Sequence, residues 1–264
     1  MKIGIFDSGL GGLMIARSLI SKLPQYDYVY LGDTKRVPYG DRSQKAIYEF
    51  TRQGLEFLFA HGCGLVIVAC NTASAQALRK IQQEYLPRKH TGKKVLGVII
   101  PTAEACAKYK SVGILATAST VSSGSYPAEL KKLNTKIKII QQAAPLLVPL
   151  IENNELKNAQ PILREYLKPL LAARVQAIIL ACTHYPILKR QIAALAGKRV
   201  KIISQTEIIP GKLRDYLRRH NEINAKLSKR RSRKFYVTDL TPGFSHLAGV
   251  MFDGKIKLEP AKLS

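Results

Sequence analysis

Ile67-Val-Ala-Cys-Asn-Thr72 and Ile179-Leu-Ala-Cys-Thr-His184 are two versions of one phrase. Each closes an apolar run, residues 65–69 and 177–181, with a cysteine followed by Asn-Thr or Thr-His. Short apolar runs bounded by polar residues read as buried strands. Cys70 and Cys182 therefore stand at the carboxyl ends of strands, where open α/β sheets bind ligands. The repeat widens on both sides. Lys2-Ile-Gly-Ile-Phe-Asp-Ser-Gly9 parallels Ser111-Val-Gly-Ile-Leu-Ala-Thr-Ala118, and Val95-Leu-Gly-Val-Ile-Ile100 parallels Arg199-Val-Lys-Ile-Ile-Ser204. Matches in the same order at nearly constant offset point to two related halves.

Further strands are expected at residues 2–6, 28–31 and 95–100 in the first half, and at 112–115, 137–140 and 200–203 in the second. Helical patterns at 13–23, at 44–60 and after Thr72 lie between the first set. Strand–helix alternation means parallel sheets with helices on both faces. The expected fold is α/β, with two similar domains related by pseudo-two-fold symmetry and the active site in the cleft between them. A tail helix at 211–219 and a strand at 235–237 rejoin the first half, whereas the last apolar stretch, 250–252, is short. The domains are then 1–100 with 210–264, and 101–209, the chain crossing near Pro101 and Pro210.

A chain of 264 residues with 46% apolar content can bury real cores. It lacks an apolar run long enough for a membrane span or a secretory leader, so a cytoplasmic protein is expected. Cys63, Cys70, Cys106 and Cys182 form no CxxC pair and no Cys/His cluster at metal spacing. Neither a metal site nor a disulfide framework is expected, and the thiols read as free. The net charge of +24 concentrates in Lys226-Leu-Ser-Lys-Arg-Arg-Ser-Arg-Lys234, with smaller clusters at 88–94 and 214–220. Such patches can hold nucleic acid or another polyanion. Without aromatic interleaving or a binding module, the favoured reading is a solvated surface.

Asp7-Ser8-Gly9-Leu10-Gly11-Gly12 follows the first strand and opens a helix. It is not the dinucleotide fingerprint, and Asp7 would repel a pyrophosphate. A carboxylate beside a thiol can instead relay a proton or pair with a substrate ammonium. Cysteines at helix N-termini have lowered pKa values, so both thiols are expected to ionise more readily than usual. Asn71-Thr72 and Thr183-His184 offer donors to a substrate carboxylate, and His184 can exchange a proton beside Cys182. A lone cysteine closing a strand is ordinarily a small buried hydrophobe. The duplicated placement argues for two acid/base groups facing one substrate. Neither cysteine is followed by the Arg of a phosphatase loop, and no Walker A sequence occurs.

Phe6-Asp-Ser-Gly-Leu-Gly-Gly12, Leu31-Gly-Asp33, Val37-Pro-Tyr-Gly40, Ala69-Cys-Asn-Thr-Ala73, Pro145-Leu-Leu-Val-Pro-Leu-Ile-Glu152 and Ala181-Cys-Thr-His-Tyr-Pro186 resemble, in the same order, the motifs of the glutamate racemases, within the aspartate/glutamate racemase family. The resemblance runs along essentially the whole chain. It implies a cofactor-independent isomerase that supplies D-glutamate for peptidoglycan, and hence for cell-wall biogenesis and cell shape. It further implies that Cys70 and Cys182 are catalytic acid/bases on opposite faces of Cα, assisted by Asp7 and His184 respectively. Cys70 would deprotonate D-glutamate and Cys182 L-glutamate. Asp33 and Glu152 would be acidic residues of the catalytic site. Asp7, Ser8, Tyr39, Gly40, Asn71, Thr72, Thr183 and His184 would bind the substrate.

Three positions depart from the family pattern. Ala181 stands where Gly is common, Ala116-Thr-Ala-Ser-Thr120 lacks a frequent Pro, and Ser204-Gln205 replace an Asp-Ser pair. None removes a proposed catalytic group. The alternative enzyme is a two-thiol racemase of aspartate or another small carboxylate. The alternative of another class is a polyanion-binding protein using the basic patches, as some racemases of this family touch DNA gyrase. A homo-oligomer is compatible with the sequence, which specifies neither its size nor any control by cell-wall precursors.

Overall fold

The computed structural model describes residues 1–263, which form ten strands in two parallel sheets. In chain order the strands are β1 Lys2–Asp7, β2 Tyr28–Gly32, β3 Cys63–Val68, β4 Lys94–Gly97, β5 Ser111–Ala116, β6 Lys138–Ala143, β7 Ala177–Ala181, β8 Lys201–Ile203, β9 Arg233–Val237 and β10 Leu258–Pro260. The first sheet runs β10-β9-β2-β1-β3-β4 and the second β6-β5-β7-β8. The repeat seen in the sequence is thus a repeat of topology. Both sets of four strands lead with a central strand, place the second on one side, and place the third and fourth on the other. In each set the direction of winding reverses beside the first strand, and a binding crevice opens at such a point.

The central strands are buried at nearly every position, and successive residues join cores on opposite faces, as the period of a pleated strand requires. Ile3, Ile5, Leu65 and Ile67 join one hydrophobic cluster with Leu115, Ile178 and Leu180, so the two sheets share a core. Phe6, Val66 and Val68 face a second cluster on the other side of the first sheet. Val112, Ile114, Ala177 and Ile179 do the same for the second sheet. The helix Gln44–Ala60 covers the first outer face. Ser43 caps it by accepting from the Ala46 N–H at 3.3 Å, and its apolar stripe includes Ile47, Leu55 and Leu58.

Two expected elements differ. The strand read at 95–100 ends at Gly97, and Ile99–Cys106 is a helix that buries Ile99, Ala103 and Cys106 and exposes Ile100. Pro101 lies in its first turn, where a missing N–H leaves no bond unmade. The stretch 250–252 ends the helix Pro242–Phe252, which Thr241 caps. The chain leaves the first sheet through Ile99–Cys106 and returns through the helices Gln205–Arg219 and Asn221–Lys226 to β9 and β10. No helix among the described residues is long and apolar enough to cross a membrane. Part of the basic run is structural: Arg233 donates to the carbonyls of Tyr26, Ser232 and Pro24, and Lys234 pairs with Glu259.

Candidate active site

Segments leaving the carboxyl ends of β1, β2, β3, β5, β6 and β7 line one cavity, which encloses about 480 Å³ of free space including its mouth. Nine of the sequence-predicted residues line it: Ser8, Tyr39, Gly40, Cys70, Asn71, Thr72, Cys182, Thr183 and His184. Thr117, Pro145 and Val148 join them. Although the chain has 42 lysines and arginines, none is in the lining. An anionic substrate would meet hydroxyls, amides, thiols and the His184 imidazole there, with Asp41 the one acidic residue of the lining.

Cys70 follows β3 and caps the six-residue helix Asn71–Gln76, its sulfur accepting from the Ala73 N–H at 3.4 Å. The thiol donates to Ser8 Oγ at 3.2 Å. Its pKa is pushed up to about 12, first by burial and then by the nearby Asp7 carboxylate; Ser8 and the Ala73 N–H oppose the rise. The lowered pKa expected of a cap position is therefore overturned at Cys70, because desolvation of the thiolate outweighs one weak N–H contact. Asp7, fully buried, is itself raised by burial, against the His184 charge, the Gly12 and Gly9 N–H groups and the Thr183 hydroxyl.

Cys182 follows β7, but no α-helix begins there. Cys182 lies at a bend, Thr183 and His184 form a turn, and a 3-10 segment Tyr185–Leu188 follows with Pro186 at its second position. Pro186 stands in the first turn of that segment, where its missing N–H leaves no bond unmade. The expected helix N-terminus is thus replaced by His184. Its Nδ1 lies 3.8 Å from Cys182 Sγ, and its Nε2 lies 2.9 Å from Glu152 Oε1. Burial pulls the imidazole pKa down, yet the hydrogen bonds and charges of Cys182 and Glu152 outweigh it and hold His184 well above the ordinary histidine value. His184 is thus biased towards its protonated form, with a thiol at one nitrogen and a carboxylate at the other.

The predicted acids Asp7, Asp33 and Glu152 do not line the cavity. Each stands one layer behind a residue that does. Asp7 accepts from the Thr183 hydroxyl at 3.1 Å and Glu152 bonds His184. Asp33 accepts from Tyr39 at 2.5 Å, Arg36 at 2.6 Å and Thr238 at 2.9 Å. Burial and the Asp33 charge raise the Tyr39 pKa well above the ordinary value, so Tyr39 keeps its proton and its place. The Gly-rich loop serves close approach rather than phosphate binding. A Cβ on Gly12 would stand 2.5 Å from Asp7 Cβ, and one on Gly11 2.7 Å from Thr183 Oγ1.

Sequence reasoning missed Thr117, although the repeat aligns it with Ser8. Thr117 Oγ1 lies 2.9 Å from Thr72 Oγ1 and 3.0 Å from Thr120 Oγ1, which ties the two halves together. It also missed Tyr126 and Gln205, which bond the Asn71 carboxamide. Cys63 and Cys106 are buried away from the lining, and no group of three or more His, Cys, Asp or Glu that could hold a metal ion occurs among the described residues.

The sequence profile of the Asp/Glu/Hydantoin racemase family matches residues 14–209. A glutamate racemase of Geobacter metallireducens is 36% identical over 260 residues, covering 96% of this chain and 93% of its own length. One from Lysinibacillus sphaericus is 39% identical over 251 residues, covering 93% and 92%. The crystal structure of glutamate racemase from Francisella tularensis in complex with D-glutamate superposes with a TM-score of 0.89 at 33% identity, covering 99% of this chain and 97% of that one.

Proposed function

The chain belongs to the Asp/Glu/Hydantoin racemase family, and from that premise we propose that it interconverts L- and D-glutamate through two thiols without a cofactor. One observation carries this reading. Cys70 and Cys182 open onto one cavity from equivalent places in two sheets that share a four-strand order, β2-β1-β3-β4 and β6-β5-β7-β8.

The Cα–H bond of glutamate is a very weak acid, so a base, an acid and a preorganised polar cavity must act together. One cysteine enters as thiolate and takes the Cα proton; the pair of electrons moves towards the α-carboxylate. The other cysteine, as thiol, returns a proton to the opposite face and leaves as thiolate. No net proton is consumed, and the protonation states of the two sulfurs are exchanged. At Cys182, His184 Nδ1 stands beside the sulfur and can share or exchange its proton. For Cys70 the charge must form against burial and Asp7, with Ser8 donating to the sulfur. Asp7 and Glu152 act through Thr183 and His184, and Asp33 acts through Tyr39. Neutral donors in the lining bind the two substrate carboxylates.

In this reading the product feeds peptidoglycan synthesis in the cytoplasm. We take the chain's two units to be residues 1–100 with 210–264, and 101–209. The basic run needs no partner.

The test is circular dichroism of glutamate with the purified protein. Either enantiomer should decay to a racemic signal, and in deuterated water the product should carry deuterium at Cα. A constant signal, or faster decay with aspartate, overturns the assignment.

A further inference from the structure

Three buried side chains from separate elements meet behind the cavity, and we infer that one of them, Gln205, is a positioning residue that decides which atom of Asn71 the substrate meets. The inference rests on the reading above. Gln205 opens the helix after β8, Tyr126 lies in the helix Ser125–Leu133, and Asn71 follows Cys70. All three are at most 2% exposed.

Gln205 Oε1 accepts from Asn71 Nδ2 at 2.8 Å, and Gln205 Nε2 donates to Asn71 Oδ1 at 2.8 Å and to the Tyr126 hydroxyl at 2.9 Å. Tyr126 gives its own proton to Asn71 Oδ1 at 2.7 Å. A carboxamide has two N–H donors and one oxygen with two lone pairs. The Asn71 oxygen is therefore saturated, and one of its two N–H groups is committed. The single group left without a protein partner is an N–H, on a side chain that lines the cavity. A flipped Asn71 would set its NH₂ against the Gln205 NH₂, and flipping both carboxamides together would strand one buried Gln205 N–H without a partner. The triad is thus best satisfied in one orientation, and that orientation offers a donor to the cavity. In a lining without lysine or arginine, such a donor suits a substrate carboxylate.

The position is informative within the repeat. The helix after β4 begins at apolar Ile99, whereas its counterpart after β8 begins at Gln205. A buried carboxamide is costly unless it is paired, and here every polar atom of it is used.

The experiment compares wild type, Gln205→Met and Tyr126→Phe in racemisation of both enantiomers, with D-glutamate affinity by calorimetry and a melting curve for each. Gln205→Met keeps side-chain length without either amide group, and Tyr126→Phe removes only the hydroxyl. Wild-type racemisation is measured first, and its absence would overturn the functional reading itself. With wild type active, Gln205→Met should raise KM and weaken D-glutamate binding about tenfold while kcat falls much less, the loss expected for one hydrogen bond to a charged group. Tyr126→Phe should shift KM the same way, less strongly. Unchanged KM in both variants, or a fall in kcat alone, overturns the inference and leaves the two-thiol reading standing. If Gln205→Met gives no cooperative melt, Tyr126→Phe decides alone.

Discussion

Cys70 and Cys182 occupy matching places after β3 and β7, yet their surroundings differ in kind. Cys70 is a cap with a hydroxyl at its sulfur and a buried carboxylate nearby, and its thiol is pushed up to about 12. Cys182 has no helix to cap and instead faces an imidazole whose pKa is raised by Cys182 itself and by Glu152. Duplication brought two thiols to one cavity; divergence of the residues around them gave each its own electrostatics. A racemase needs this, because its two bases must act on mirror-image substrates without being mirror images themselves.

The comparison breaks if either thiol proves dispensable. Cys70→Ala and Cys182→Ala should each lower kcat for racemisation at least about a thousandfold in both directions, since each turnover uses one sulfur as base and the other as acid. Circular dichroism of glutamate checks this.

Glu152→Gln sharpens the Cys182 side. It removes the carboxylate from His184 and should cost about ten- to a hundredfold in kcat/KM, chiefly for L-glutamate. It also shifts the pH profile. The His184 pKa is raised in the folded protein, so the stabilisation gained by its charge is complete below the ordinary histidine value and is lost as pH rises through the folded value. In the variant that loss should come at lower pH, both in activity and in stability, as rate and denaturant profiles across pH can show.

The smallest effect belongs to the Cys70 side. Burial raises the Asp7 pKa, so the folded state disfavours its charge, and stability falls as pH rises from the ordinary carboxylate value through the folded one. Asp7→Asn should slow D-glutamate turnover and yet raise the melting temperature at neutral pH by a few degrees. The gain should vanish in acid, where both forms are neutral.

Much of this was legible because strands and strand-end residues carry local signals. The cysteine phrases and the Gly-rich loop marked seven lining residues and Asp7, whereas Tyr39, Gly40, Asp33 and Glu152 were implied by the family resemblance. The stretch 98–100 misled because an apolar run without periodicity fits a strand or a buried helix start equally well. The thiol pKa misled because capping is local whereas desolvation is set by the whole fold, so the cap geometry of Cys70 was right and its consequence was not. The meeting of Asn71, Tyr126 and Gln205 joins residues 55 and 134 positions apart, which no spacing rule anticipates.

The central claim is that each thiol serves one face of the substrate. It is tested most directly by following exchange of the Cα hydrogen into deuterated water, by NMR, in Cys70→Ala and Cys182→Ala with each enantiomer of glutamate. Cys70→Ala should exchange L-glutamate only, and Cys182→Ala should exchange D-glutamate only, with neither variant racemising. Exchange of both enantiomers by either variant would contradict the account.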